Sequence, residues 1–107
     1  MLYNEELDAR ITQVVSNWGT TKKKMFGGTC HFLNGNMVCG VYKEFLVLRL
    51  GVQAAAESLK QPHVTPFDIT GRPMRGWVKV DYEGFQGKDL QPWLEKARQY
   101  VETLPPK

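Results

Sequence analysis

Apolar residues recur at three- and four-residue spacing at both ends of this chain and alternate through its middle. Near the start, Leu7, Ile11, Val14, Val15 and Trp18 make one helical stripe. Asn4 is suited to cap that helix, Glu5 and Glu6 favour its first turn, and Gly19 marks its end. The pattern predicts a helix over 5–18. At the other end Leu90, Trp93, Leu94, Ala97, Tyr100, Val101 and Leu104 form a second stripe. Pro92 falls in its first turn, where a missing N–H costs little, and Pro105-Pro106 stops it.

Between the stripes the period changes to two. Asn34-Gly35 predicts a type I′ hairpin turn, because both central residues of that turn need positive φ. Strands are expected over 29–33, 36–42 and 45–50, although Lys43-Glu44 between the last two lacks glycine or asparagine. Gly51 ends the third strand, and residues 52–60 read as a short helix stopped before Pro62. A Pro/Gly-punctuated connection, 62–76, leads to a strand over 77–82, with Val78, Val80 and Tyr82 on one side and Trp77, Lys79 and Asp81 on the other. The expected architecture is a single α+β domain over 1–107, an antiparallel β-meander packed in two layers against N- and C-terminal α-helices.

A two-residue turn at Asn34-Gly35 sets Phe32 opposite Met37, His31 opposite Val38 and Cys30 opposite Cys39. Both cysteines then share an apolar face with Phe32, Met37 and Val41, which is expected to be the core face. Cys30 and His31, adjacent on a strand, point to opposite sides and do not form a nucleophile–base dyad. Three readings of the thiols stay open: buried free cysteines, favoured by the apolar neighbours; a cross-strand disulfide; and a metal site with His63, whose spacing matches no standard zinc pattern. The other face would carry Leu33, Val38, Tyr42, Phe45 and Val47 beside His31 and Arg49. That is too apolar to stand in water, so either the 52–60 helix and the 62–76 segment cover it, or a partner or second copy does.

Composition fits an ordinary globular domain: 107 residues, 42% hydrophobic and 11% aromatic. The acidic N-terminus does not resemble a signal peptide, and no apolar run is long enough to span a bilayer, so a cytoplasmic protein with reduced thiols is expected. The net charge of +3 is unevenly spread. Residues 20–80 carry nine Lys/Arg against three acids, a net of +6, while the two ends are acidic. Lys22, Lys23, Lys24, Arg49, Arg72, Arg75 and Lys79 are therefore the candidate nucleic-acid or anion contacts, with Trp77 among the last of them as a candidate stacking ring. The lysine triplet reads equally as a solvated edge. His31, Val38, Phe45, Val47 and Trp77 are the candidate partner surface. Gly27-Gly28 feeds a strand rather than a helix, so it is read as a bend or bulge and not as a phosphate loop.

The segments "KKMFGG", "LNGNMVCGV", "LRLG", "PFDITGRPMRGWVKV" and "LPPK", in this order and over essentially the whole length, resemble the N-terminal domain of the TfoX/Sxy family of bacterial proteins, and most of all its short, stand-alone members. The resemblance rests on Met25, Phe26, Gly27 and Gly28, on the Asn34-Gly35 turn, and on Phe67, Gly71, Pro73 and Gly76 before Trp77. It implies a bacterial cytoplasmic α+β domain without cofactor or known catalytic residues, and no metal is expected. Longer members act as transcriptional coactivators in competence regulation, beside the cyclic-AMP receptor protein, and carry a second, C-terminal helical domain. The family's basic strand position falls on Arg49, implying an ion pair or anion contact.

Together these readings predict a non-enzymatic regulatory or interaction module with a protein partner or self-association, no membrane and no small-molecule substrate. The alternative is a protein that binds nucleic acid directly through its basic central region.

Overall fold

The computed structural model describes residues 5–25, 28–68, 71 and 74–106. The proposed cap Asn4 and the motif or contact residues Phe26, Gly27, Arg72 and Pro73 lie outside them. Helix α1 (Glu5–Val15) tightens into a 3₁₀ turn (Ser16–Trp18) and stops at Gly19, whose φ of 80° carries the chain out of the helix. Five strands and a short helix follow in the order β1 (Thr21–Met25), β2 (Gly28–Leu33), β3 (Asn36–Tyr42), β4 (Phe45–Arg49), α2 (Val52–Ser58) and β5 (Val64–Pro66). After β6 (Trp77–Val80) come α3 (Tyr82–Phe85), a 3₁₀ turn (Gly87–Asp89) and α4 (Leu90–Val101).

The strands form one antiparallel sheet ordered β1-β2-β3-β4-β6-β5, which bears out the two-layer α+β meander. The 77–82 strand ends two residues early, because Tyr82 opens α3 and is mostly solvent-exposed. Asn34 (φ 55°) and Gly35 (φ 83°) make the expected turn, joining Leu33 to Asn36. At the second hairpin Lys43 takes the positive φ, 56°, that no glycine is there to supply. Such a conformation in a non-glycine residue costs on the order of 1 kcal/mol, which the flanking Tyr42–Phe45 pair must hold in place.

The first hairpin departs from simple pairing. Phe32 faces Met37, but a bulge between His31 and Phe32 then sets His31 opposite Cys39 and Cys30 opposite Gly40. Val38 is the extra residue, and it turns inward with Cys39; both are fully buried. From this point every side chain of β3 lies on the face opposite to that expected from an unbulged ladder.

The sheet face covered by α1 and α4 therefore carries His31, Leu33, Val38, Cys39, Val41, Leu46, Leu48, Val78 and Val80. Leu7, Ile11 and Val15 of α1 and Trp93, Leu94, Ala97 and Val101 of α4 close over it. Each fully buried side chain of this size stabilises the fold by about 1.5–3 kcal/mol relative to exposure. Ala55 brings α2 into the same core. Short polar links tie the helical layer together: Arg10 Nη2 donates to the Gly87 carbonyl at 2.7 Å, and Trp93 Nε1 to that of Gly84 at 2.9 Å.

Candidate functional site

The sheet face turned away from the helices holds the residues with most to offer a ligand. It is built by the alternate positions of each strand: Lys23 on β1, Cys30 and Phe32 on β2, Met37 and Tyr42 on β3, Phe45, Val47 and Arg49 on β4, Trp77 and Lys79 on β6. Phe67, just past β5, folds onto this face. Its ring stands edge-on to Tyr42 at 5.7 Å and tilted against Trp77 at 6.2 Å, and it is itself buried. The 62–76 segment thus supplies part of the cover expected of it, whereas α2 goes to the other side.

Four further rings on this face are partly exposed, and each has a cation above it. Lys23 Nζ stands 5.4 Å from the Phe32 ring centre, Lys43 Nζ 5.4 Å from Tyr42, Lys79 Nζ 4.6 Å from Phe45, and the Arg49 guanidinium 5.4 Å from Trp77. These are distances at which the negative ring face attracts a cation, by about 0.5–1 kcal/mol in exposed positions. The register explains two of the contacts: Arg49 is the direct cross-strand partner of Trp77, and Lys79 flanks the Tyr42–Phe45 pair through β4. Asp68 reaches Lys79 at a loose 3.9 Å, while Glu44 turns to another surface beside Asp81, Tyr82 and Glu83.

Several expected site residues are placed elsewhere. His31 is not on a partner surface: the bulge carries it to the helix side, where it is buried and bonded through Nε2 to Asp8 Oδ1 at 2.9 Å. Lys22 Nζ holds the other oxygen of the same carboxylate at 3.0 Å, so Lys22 staples β1 to α1 and is spent as a free phosphate contact. Val38 lies in the helix-side core, and Val47 is buried beneath the open face. Lys24 shares Lys22's side of β1, and Arg75 is exposed in the loop before β6. Of the basic candidates, Arg49 and Lys79 come together with Trp77 and Phe45, joined by Lys43 and Tyr42, while Lys23 lies on the same face over Phe32, with β3 and β4 between that pair and β6. Asp8 was legible too: it sits on the buried stripe of α1 with Ile11 and Val15, where an acid needs a partner.

The cysteines do not pair. Cys30 faces the open side, in contact with a small apolar hollow lined by Met37, Tyr42 and Phe67, and Cys39 faces the helices. The expected Cys30–Cys39 register and shared face are overturned by the bulge, and with them a cross-strand bridge or a shared metal ion. His63 lies apart, its Nδ1 3.0 Å from Asp81 Oδ1. Among the described residues no group of three or more His, Cys, Asp and Glu is arranged to hold a metal. Both thiols are buried and free, and burial pushes each above its ordinary range, Cys39 most strongly. The native protein is expected to release no colour from a thiol-specific disulfide reagent at pH 8, and two equivalents once unfolded in guanidinium; rapid native labelling of either cysteine would contradict this burial.

No helix among the described residues is long and apolar enough to cross a membrane. A family model, the TfoX N-terminal domain, matches residues 14–100 of the chain. No curated protein and no solved structure matches it.

Proposed function

Since this chain belongs to the TfoX N-terminal domain family, we propose that it is a regulatory module that works by binding an anionic partner rather than by catalysis, through the open face of its sheet. One observation carries the reading: four partly exposed rings on that face, each with a cation 4.6–5.4 Å from its centre, with Asp68 as the acid that reaches one of those cations, Lys79. Catalysis has less to work with. A reaction centre needs a nucleophile or base with access to substrate. Here His31 and both thiols are buried, which leaves the exposed His63, held against Asp81, as the accessible base.

The test is to place a photo-crosslinking phenylalanine analogue at position 45 on the open face, or at exposed position 99 on α4, and irradiate cells of the source organism. Adducts from position 45 and none from 99 are expected. Adducts only from 99, or from neither, would remove the open face as the working surface.

A further inference from the structure

From the pairing of rings with cations on the open sheet face, we infer that its ligand is single-stranded nucleic acid. The inference rests on the binding role proposed above and names the ligand class. An apolar protein partner would have to bury Lys23, Lys43 and Arg49 without supplying counter-charge, and Lys79 with only its loose contact to Asp68, which is costly. An acidic peptide would satisfy the cations and leave the rings without use. A single strand alternates planar bases with phosphates, and so answers both sets of groups in one repeat.

The geometry supports a path as well as a composition. Tyr42 and Phe45 face each other across β3 and β4, and Trp77 lies across from Arg49 at the far end of β4. Phe45 and Arg49 are four residue steps apart along β4, roughly 13 Å. Phe67 stands between the two clusters and packs edge-on against Tyr42 and tilted against Trp77, so stacking there freezes little further motion. The cations are already gathered over the rings. When a base occupies a ring face, the displaced ammonium or guanidinium has only to swing to the adjoining phosphate. A duplex hides its base faces and would offer this surface phosphates alone.

The experiment is fluorescence anisotropy of labelled twelve-residue oligothymidylate, oligouridylate and a twelve-base-pair duplex against the whole chain. With three or four phosphates neutralised, raising salt from 50 to 200 mM is expected to weaken single-strand binding by about 20- to 50-fold. Phe45→Ala and Trp77→Ala should each weaken it by roughly 5- to 150-fold, the range for loss of one stacked base. Trp77→Phe keeps a ring and should retain most of the affinity, and Lys88→Ala, a charge loss near α4, should leave it unchanged. Circular dichroism verifies that each variant is folded. Equal affinity for duplex and single strand, or ring variants that are folded and bind like the wild type, would overturn the inference by reducing the surface to a charge patch. No binding to any probe at 50 mM salt would also overturn it; position-45 crosslinks to protein in that case would leave the binding role standing with a different ligand. Loss of both the oligonucleotide signal and the crosslinks would sink the two readings together.

Discussion

Gly28→Ala is expected to lower stability by about 3 kcal/mol and the unfolding midpoint by roughly 10–20 °C. Gly28 opens β2 with its backbone pressed against β3. A Cβ built there would stand 1.9 Å from the Val41 carbonyl oxygen and 3.3 Å from the Tyr42 Cα. Those are backbone atoms, so no rotamer change relieves the clash; the two strands must part. Gly40 is in a similar position across the same ladder, its added Cβ 2.5 Å from the Thr29 carbonyl oxygen. Gly19→Ala provides the contrast, since open space surrounds it and only the positive φ resists the change, at a cost of about 1–2 kcal/mol. Thermal unfolding followed by circular dichroism separates the two. Equal losses at Gly28 and Gly19 would mean that β2 and β3 do not approach as closely as described.

The second large effect belongs to Asp8. Asp8→Ala leaves His31 buried with no carboxylate to receive its Nε2–H and frees Lys22, and is expected to cost about 2–3 kcal/mol at pH 7. The pair also makes stability depend on pH. Burial is the largest influence on His31 and lowers its pKa, with Lys22 adding to the effect and Asp8 opposing it in part. A lowered folded-state pKa means the unfolded chain takes up the proton first, so stability falls as pH drops below the ordinary histidine value of 6.5. Burial pushes the Asp8 carboxyl up, but its bonds to His31 and Lys22 outweigh that and hold it below 3.8. Its own contribution is therefore complete above pH 3.8 and is lost only as pH falls through the lowered folded value. Urea midpoints at pH 7.5, 6 and 5 should decline in the wild type, with a slope from His31 of at most ~1.4 kcal/mol per pH unit. His31→Gln, which keeps a donor toward Asp8 but does not titrate, should decline less steeply. Parallel curves for the two proteins would show that His31 is not held neutral.

The helical stripes and the Asn34-Gly35 turn were legible because each is a local pattern: spacing fixes a buried face, and a turn type demands particular residues. The bulge was not. Nothing between Phe32 and Cys39 distinguishes a strand that pairs residue for residue from one that accommodates Val38 as an extra, because Val38 is as apolar as its neighbours. That choice is made by the helix side, which gains two buried residues in succession. Its consequences reach the site directly, since it sends His31 and Val38 inward and leaves Phe32, Met37 and Tyr42 on the open face. β5 was hidden for a different reason. Val64–Pro66 is only three residues long and sits among prolines that read as loop, and it is recruited by the waiting edge of β6. Of the open face, Arg49, Trp77, Lys79 and Phe45 were visible as residue types. What joins them is the pairing of β4 with β6 across the intervening α2 and 62–76 segment, a long-range contact that no local pattern encodes.

That α1 and α4 close over the same sheet face also sets the order in which a nascent chain can become a stable protein. Leu94, Ala97 and Val101 belong to the last helix, yet they pack on strands synthesised far earlier. Until residues 90–101 clear the ribosome, Leu46, Leu48, Val78 and Val80 wait with half their covering missing. The domain therefore completes its fold only after α4 has been made, and the greasy underside of its sheet is the surface that a ribosome-bound chaperone would have to shield in the meantime.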